Sequence, residues 1–527
     1  MSDTLADAFC SSFSEFLAAE MGLHFPKERW RDLERGIVSA TREFGLSDSE
    51  SCLAWLMSSR LTRPQIEILA SHLTVGETYF FREKRTFEVL ESQILPELIR
   101  SRRDTDRRLR FWSAGCATGE EPYSLAILLS KMLADLRDWN ITILASDINP
   151  QFLRRASDGV YNQWSFRDTP SWVKETRFEK TKDGRFKLLP QIRKMVTLSY
   201  LNLAEDVYPS LLNNTNAIDV ILCRNVLMYF APAAAGKVIE KFYRALTDGG
   251  WLIVSPSETS HVLYSRYAAV NFPGATLYKK SEQQALATEV SPYWAVENSP
   301  AIAQPIFEPQ AEPEPEETCV PAFSEIPLTE VTERPAAESA PAADRRAFML
   351  YERGRYVEAE EQILAWLSEN PDDSKALALL ARVCANQGRL REALEWCGKA
   401  IAAEKVNAGS HYLSATILLE QGLLEEAGAS LKRALYADQN FVLAHFVLGN
   451  LARQQGKFRE AQKHFENALS LLRAYGREQV LPESEGITAG RLAEIINVQM
   501  DREGGISVAV LARRFPDAGA PLTGSPK

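Results

Sequence analysis

Apolar positions along the chain follow different spacings in different stretches. Over residues 1 to about 90 they recur at helical intervals, with Phe9, Phe13, Phe16 and Leu17 on one face. A second helix is expected from about Glu28, carrying Arg29, Arg31, Arg35 and Arg42 among Asp32, Glu34 and Glu43. That charge mixture reads as a solvated face. From about 91 to 282, short apolar runs alternate with amphipathic ones. The runs 108–112, 141–145, 196–200, 219–223, 251–254 and 276–280 predict strands, with helices between most of them. Strand and helix in alternation predict an α/β domain, a mostly parallel sheet with helices on both faces. Around the turn signal Asp183-Gly184 the pattern shortens. Alternation over 185–201 predicts short antiparallel strands there, a small β-subdomain inserted at about 175–201.

The pattern is lost over 283–342, where Pro, Glu and Ala dominate. Such a stretch cannot bury enough apolar surface to offset its ordering entropy, so it reads as a disordered linker. Beyond it a period of 34 residues sets in: Gly354, Gly388, Gly422 and Gly456 share it. Ala359, Ala393, Ala427 and Ala461 keep the same step, as do Ala400, Ala434 and Ala468. Glycine allows a tight turn between two helices, and alanine lets them pack closely. These units resemble tetratricopeptide (TPR) repeats. The resemblance implies an all-α solenoid over 343–476 with a concave groove for a protein or peptide partner. Residues 477–527 are expected to hold one helix, 489–500, and a polar tail.

Composition narrows the options. The chain has 527 residues, enough for several domains, and a net charge of −10, which disfavours bulk nucleic-acid binding. Seven cysteines are scattered without a Cys-x-x-Cys pair, and six histidines are dispersed; neither a disulfide framework nor a metal site is expected. The first ten residues lack the form of a secretion signal, and no apolar run is long enough to span a bilayer. A cytoplasmic protein, expected to be a monomer and not inserted in membrane, fits this pattern.

Candidate chemistry gathers in the α/β region. The strand ending near Trp112 runs into a loop with Gly115 and Gly119, and an amphipathic run starts behind Pro122. Strand, glycine loop and helix start are the front edge of a nucleotide-binding unit. Glu120 and Glu121 sit where a phosphate binder would need a cradle. They point instead to a cationic or hydroxyl-rich ligand. Asp147 follows the second strand, placed for the two hydroxyls of a ribose or to cap the next helix. The strand 219–223 leads into Arg224, Asn225 and Tyr229, which are expected to project into the crevice at the carboxyl ends of the strands. The segment 74–83, with Thr78, Phe80, Phe81 and Arg82, reads as a helix with core and surface faces.

These motifs, in this order, resemble the CheR family of chemotaxis-receptor glutamate methyltransferases. The markers are Thr78 to Arg82, Ala117 to Ser124, Ala145 to Asp147, Asn202-Leu203, and Cys223 to Asn225 with Tyr229. The added repeats resemble the receptor methyltransferases of Wsp-type surface-sensing systems. The resemblance implies a Rossmann-like fold that takes S-adenosylmethionine (SAM) and releases S-adenosylhomocysteine. It implies cofactor contacts from Thr78, Arg82, Glu121, Asp147, Asn202, Leu203, Arg224 and Asn225, with Arg82 and Tyr229 facing the substrate carboxylate. The implied partner is the cytoplasmic domain of a membrane chemoreceptor. Gly76 departs from the family, many of whose members carry Asn there. A glutamate side chain has an ordinary pKa of about 4.3 and is already ionised at neutral pH, so no general base is needed. The tight turn 180–186 predicts receptor recognition that does not depend on a tethering pentapeptide. An alternative reading is a SAM-sensing, TPR-based interaction protein with little or no catalysis.

Overall fold

The computed structural model describes residues 7–211, 213–281 and 342–504. The expected linker, apart from its last residue, and the polar tail beyond 504 lie outside the described residues. The chain opens with four helices: α1 (Asp7–Met21), α2 (Trp30–Glu43), α3 (Ser49–Met57) and α4 (Arg63–Leu73). Their apolar faces meet in one core around Phe13, Leu17, Leu33, Ile37, Leu53 and Leu69. Local chemistry fixes the helix starts. Asp48 accepts a hydrogen bond from the Ser51 amide at 2.7 Å, and the Thr62 amide donates to Gln65 Oε1 at 2.8 Å ahead of Pro64.

The segment 74–83 is irregular rather than helical. Phe81 and Glu83 both take left-handed φ of 57°, which breaks any helix. Two helices follow, α5 (Lys84–Val89) and α6 (Leu95–Arg103), joined by one π-helical turn.

The central sheet has seven strands. β1 (Arg108–Ala114), α7 (Glu120–Met132), β2 (Asn140–Asp147) and α8 (Pro150–Asp158) form the first half. A second, three-stranded antiparallel sheet is inserted next. It consists of β3 (Val160–Tyr161), β4 (Phe178–Lys180) and β5 (Phe186–Leu188), with α9 (Ser171–Arg177) between the first two and α10 (Pro190–Arg193) after the third. β6 (Val196–Tyr200) then returns to the large sheet as a parallel edge strand beside β2. β7 (Ile218–Leu222), α11 (Pro232–Ala245), β8 (Leu246–Ile253), β9 (Tyr267–Phe272) and β10 (Ala275–Lys280) complete it, in the order β6-β2-β1-β7-β8-β10-β9. β10 points opposite to the other six strands, pairing antiparallel with both β8 and β9. β9 was not singled out in the sequence, where Tyr267 to Val270 form only a short apolar run on a half-exposed edge strand. β1 and β7 are buried at every position, and helices cover both faces. The reversal of strand order between β1 and β7 opens a crevice at their carboxyl ends.

The carboxyl-terminal part is four helical hairpins. They are α12 (Ala342–Glu352) with α13 (Tyr356–Glu369), α14 (Ser374–Asn386) with α15 (Leu390–Ala403), α16 (Ala408–Glu420) with α17 (Leu424–Ala437), and α18 (Val442–Gln454) with α19 (Phe458–Leu472). The four periodic glycines turn each hairpin at φ between 69° and 79°. The periodic alanines are fully buried at the helix crossings. A final helix, α20 (Ala489–Gly504), caps the last hairpin through Leu492 and Ile496.

Candidate functional site

A cleft opens at the carboxyl ends of β1, β2, β6 and β7. Thr78, Arg82, Glu121, Asp147, Asn202, Leu203, Arg224, Asn225 and Tyr229 all line it. These nine residues singled out from the sequence therefore share one cavity, while Glu120 does not reach it. They arrive on five separate stretches of the chain.

The glycine loop forms one wall. The amides of Gly115 and Cys116 donate to Ser146 O at 2.8 and 2.9 Å, tying the ends of β1 and β2 together. Gly115 has φ of 80°, and a Cβ there would lie 2.4 Å from Val226. Only glycine fits that approach. The two glutamates part company. Glu121 turns into the cleft, where Ser113 Oγ donates to it at 2.7 Å and Arg224 at 3.0 Å. Glu120 turns away. It accepts from Thr118 Oγ1 at 2.6 Å and from Ser165 Oγ at 3.0 Å, and burial raises its carboxyl above the usual range.

Asp147 is held by backbone alone. Its two oxygens accept from the amides of Ala117 at 2.9 Å and Asn149 at 2.8 Å. Burial raises it to about 6, and those amide bonds pull the other way. The helix cap is Asn149, whose side chain accepts from the amides of Gln151 and Phe152. Asp147 is thus left facing the cleft, with lone pairs still free for hydroxyl donors.

Arg224 is the buried centre of the floor. It pairs with Glu83 at 2.9 Å and Glu121 at 3.0 Å, and it donates to Arg82 O. It thereby sets the backbone that carries Arg82. Two phenylalanines anchor that backbone further. Phe80 is fully buried and meets Tyr161 and Phe178 of the small sheet, and Phe166 of the turn between β3 and α9, at ring distances of 4.9 to 5.1 Å. The Phe81 amide donates to Ser124 Oγ at 2.9 Å. The Arg82 guanidinium itself stays at the mouth and donates to Glu77 O at 2.6 Å. Asn225 has φ of 57°, and its Oδ1 is buried without a protein partner.

The amino-terminal helices close the cleft from above. The His24 amide donates to Tyr229 O at 2.8 Å, and the Ala231 amide to Gly22 O at 2.9 Å. Arg29 also lines the cleft, with its guanidinium 5.2 Å from the Tyr229 ring. In the sequence Arg29 was one of several charges on an apparently solvated helix, and only the fold separates it from them. Phe152 was missed as well. A Cβ on Gly76 would lie 2.6 Å from the Phe152 ring, so this phenylalanine fills the space that a larger residue at position 76 would need.

The donor set fits a cationic nucleoside. Two acids face the cleft, an unpartnered amide oxygen adds a third acceptor, and glycine admits close approach to the backbone. Among the described residues no group of three or more His, Cys, Asp or Glu could hold a metal ion, and no helix is long and apolar enough to cross a membrane.

Comparison with known proteins follows this division. Residues 76–271 match the family described as CheR methyltransferase, SAM binding domain. Residues 349–405, 408–441 and 442–475 each match tetratricopeptide repeats. The chain is 34% identical over 220 residues to a probable chemotaxis protein methyltransferase of Rhizobium etli, covering 41% of this chain and 80% of the relative. It is 33% identical over 218 residues to chemotaxis protein methyltransferase 1 of Pseudomonas aeruginosa, covering 40% and 77%. It is 29% identical over 274 residues to chemotaxis protein methyltransferase 2 of Vibrio cholerae, covering 52% and 92%.

Proposed function

The chain belongs to the CheR family of chemotaxis protein methyltransferases, and from that premise we propose that it methylates glutamate side chains on the cytoplasmic domain of a chemoreceptor. The observation that carries this reading is the division of the cleft. Acids lie deep in it, at Asp147 and Glu121, while Arg82, Arg29 and Tyr229 line it with groups suited to a carboxylate. SAM, when bound, supplies a methyl group on a sulfonium, an electrophile that an ionised carboxylate attacks directly. The chain's task is then alignment and exclusion of water.

In this reading Asp147 accepts the ribose hydroxyls, and Asn202 and Leu203 flank the base. Glu121 offers negative charge toward the cationic end, and Thr78 closes over it. Arg224 and Asn225 shape the floor. Arg82 holds one oxygen of the substrate carboxylate and leaves the other to react, while the Tyr229 hydroxyl sets the angle. Too tight a grip from Arg82 would quench the nucleophile, so its role is positioning. The reading divides the chain into a helical domain (1–90), a methyltransferase domain (91–282), a linker (283–342), a TPR array (343–476) and a tail (477–527). It takes the protein to act in the cytoplasm as a monomer. The Thr181–Arg185 turn is closed by the Thr181 amide donating to Arg185 O at 2.8 Å. So short a turn supports docking on the receptor without a tethering peptide.

The test is transfer of labelled methyl groups from SAM to base-labile esters on purified receptor domains. Arg82→Ala is expected to abolish transfer while leaving the melting temperature in place. SAM binding without transfer to any receptor domain would leave a sensor in place of an enzyme.

A further inference from the structure

The repeat array does not stand apart from the catalytic domain. We infer that it is an intramolecular brace on the cofactor cleft: its inner face takes the chain's own β6–β7 connection as ligand, and Arg491 positions the Asn202-Leu203 wall. The inference rests on the proposed SAM site. It adds a partner for the array and a residue that tunes the site from the far end of the chain.

The wall in question is the turn 201–206, just after β6. Three elements pin it. Asn202 Nδ2 donates to Glu20 O of α1 at 2.8 Å. Lys241 of α11 donates to Leu203 O at 3.0 Å and Glu205 O at 2.7 Å. Arg491 of α20 pairs with Glu205 at 2.9 Å. The first two belong to the methyltransferase half, while the third comes from the cap of the repeat array. Arg491 is largely buried and also meets Glu494 at 3.3 Å and the Tyr200 ring at 5.3 Å. The same ring lies 4.1 Å from Arg63, whose amide donates to Glu494 at 3.3 Å. Helical domain, sheet and cap therefore share one charged junction beside the wall.

The chain continues from that wall straight into the array. Val207 packs against the apolar cluster of α16 to α20. Leu211 is buried in the other array cluster with Leu380, Val383, Leu413 and Ile417. Its amide donates to Glu485 at 2.9 Å. A Cβ on Gly486 would lie 2.6 Å from Asp206 O, so backbone meets backbone here. A segment of about ten residues thus has one end in the cofactor cleft and the other in the array. A protein that takes the inner face must first evict Leu211, which loosens the array's hold on the Asn202-Leu203 wall and leaves it on Glu20 and Lys241 alone. Partner binding and SAM binding then oppose each other, and each weakens the other by the same factor.

The experiment is isothermal titration of SAM into the full chain, well below its melting temperature. Arg491→Gln and Leu211→Asp are each expected to weaken SAM binding about tenfold, with Arg491→Lys recovering part of the loss. Tyr436→Ser, at a 91% exposed position on the array, is expected to change nothing. Wild-type affinity in both Arg491→Gln and Leu211→Asp would overturn the brace and leave the SAM site standing. No SAM binding by the wild type would overturn the site and the brace together.

Discussion

The two ends of the central sheet use the same residue types differently. At the carboxyl ends of the strands, Arg224, Glu121 and Asp147 are tied to one another or to nearby backbone, and each still borders an open cleft. At the amino end, Arg108 and Arg110 are buried beneath the repeat array and pair with Glu420 at 2.8 and 3.6 Å. Arg110 adds a bond to Asn214 O at 2.9 Å, and its amide donates to Asp219 at 2.8 Å. One end keeps polar groups facing outward for a ligand, and the other turns them on its own chain. Buried charge alone therefore does not mark a site. What distinguishes the cleft is charge that is held in place yet still faces open space.

The largest effect is expected at the closed end. Glu420→Ala leaves two buried guanidiniums without their shared carboxylate. Breaking a buried pair from one side costs about 3–5 kcal/mol, so thermal melting should shift down by many degrees. A change within one degree would mean that the seam opens in solution and that the two ends of the sheet are less different than they look.

The same contrast explains what the sequence revealed. The cleft was legible because its residues sit in short motifs at strand ends: Gly115 to Glu121, Asp147, and Arg224-Asn225. Strand period and turn chemistry place such motifs without knowledge of the tertiary fold. The 34-residue period exposed the repeats for the same reason. The seam was not legible. Arg108 and Glu420 are 312 positions apart, and neither stands in a pattern that names the other. Arg29 and Phe152 were hidden similarly, since each reads as an ordinary helix residue until the turn before α2 and the start of α8 are brought to the cleft. The 74–83 segment misled because its two phenylalanines look like a helix face. They are anchors at a left-handed kink that begins at Phe81 itself.

At the open end, Asp147→Asn removes the charge and keeps the shape. Ribose hydroxyls donating to a carboxylate are worth about 2 kcal/mol, so SAM binding should weaken roughly thirtyfold by titration. Stability should move little. Burial raises the folded carboxyl to about 6, above its unfolded value, so its ionised form lowers stability as pH rises through that window. Losing the charge relieves that penalty and offsets the amide bond the variant gives up. If Asp147→Asn instead unfolds the chain, the aspartate is structural and the cleft resembles the seam. The same pKa predicts a pH response. SAM binding favours the ionised form, so it should weaken as pH falls below about 6 and level off near the roughly thirtyfold loss of Asp147→Asn, with proton release on binding in that range. Flat affinity between pH 7 and 5 would remove Asp147 from the ribose.

The smallest effect tests how finely the cleft is filled. Phe152 occupies the space that a side chain on Gly76 would take, 2.6 Å from the position of a Cβ. Gly76→Ala forces the ring to shift. Because Phe152 lines the cleft, SAM binding should weaken by about threefold. Phe152→Ala should also weaken it, by removing a wall. Together the two changes should cost less than their sum, since the new methyl group then enters space the ring has left. A double-mutant cycle on SAM affinity measures that difference directly. Strict additivity would mean that position 76 and the ring do not share space, and that the glycine reflects the backbone of the 74–83 segment instead.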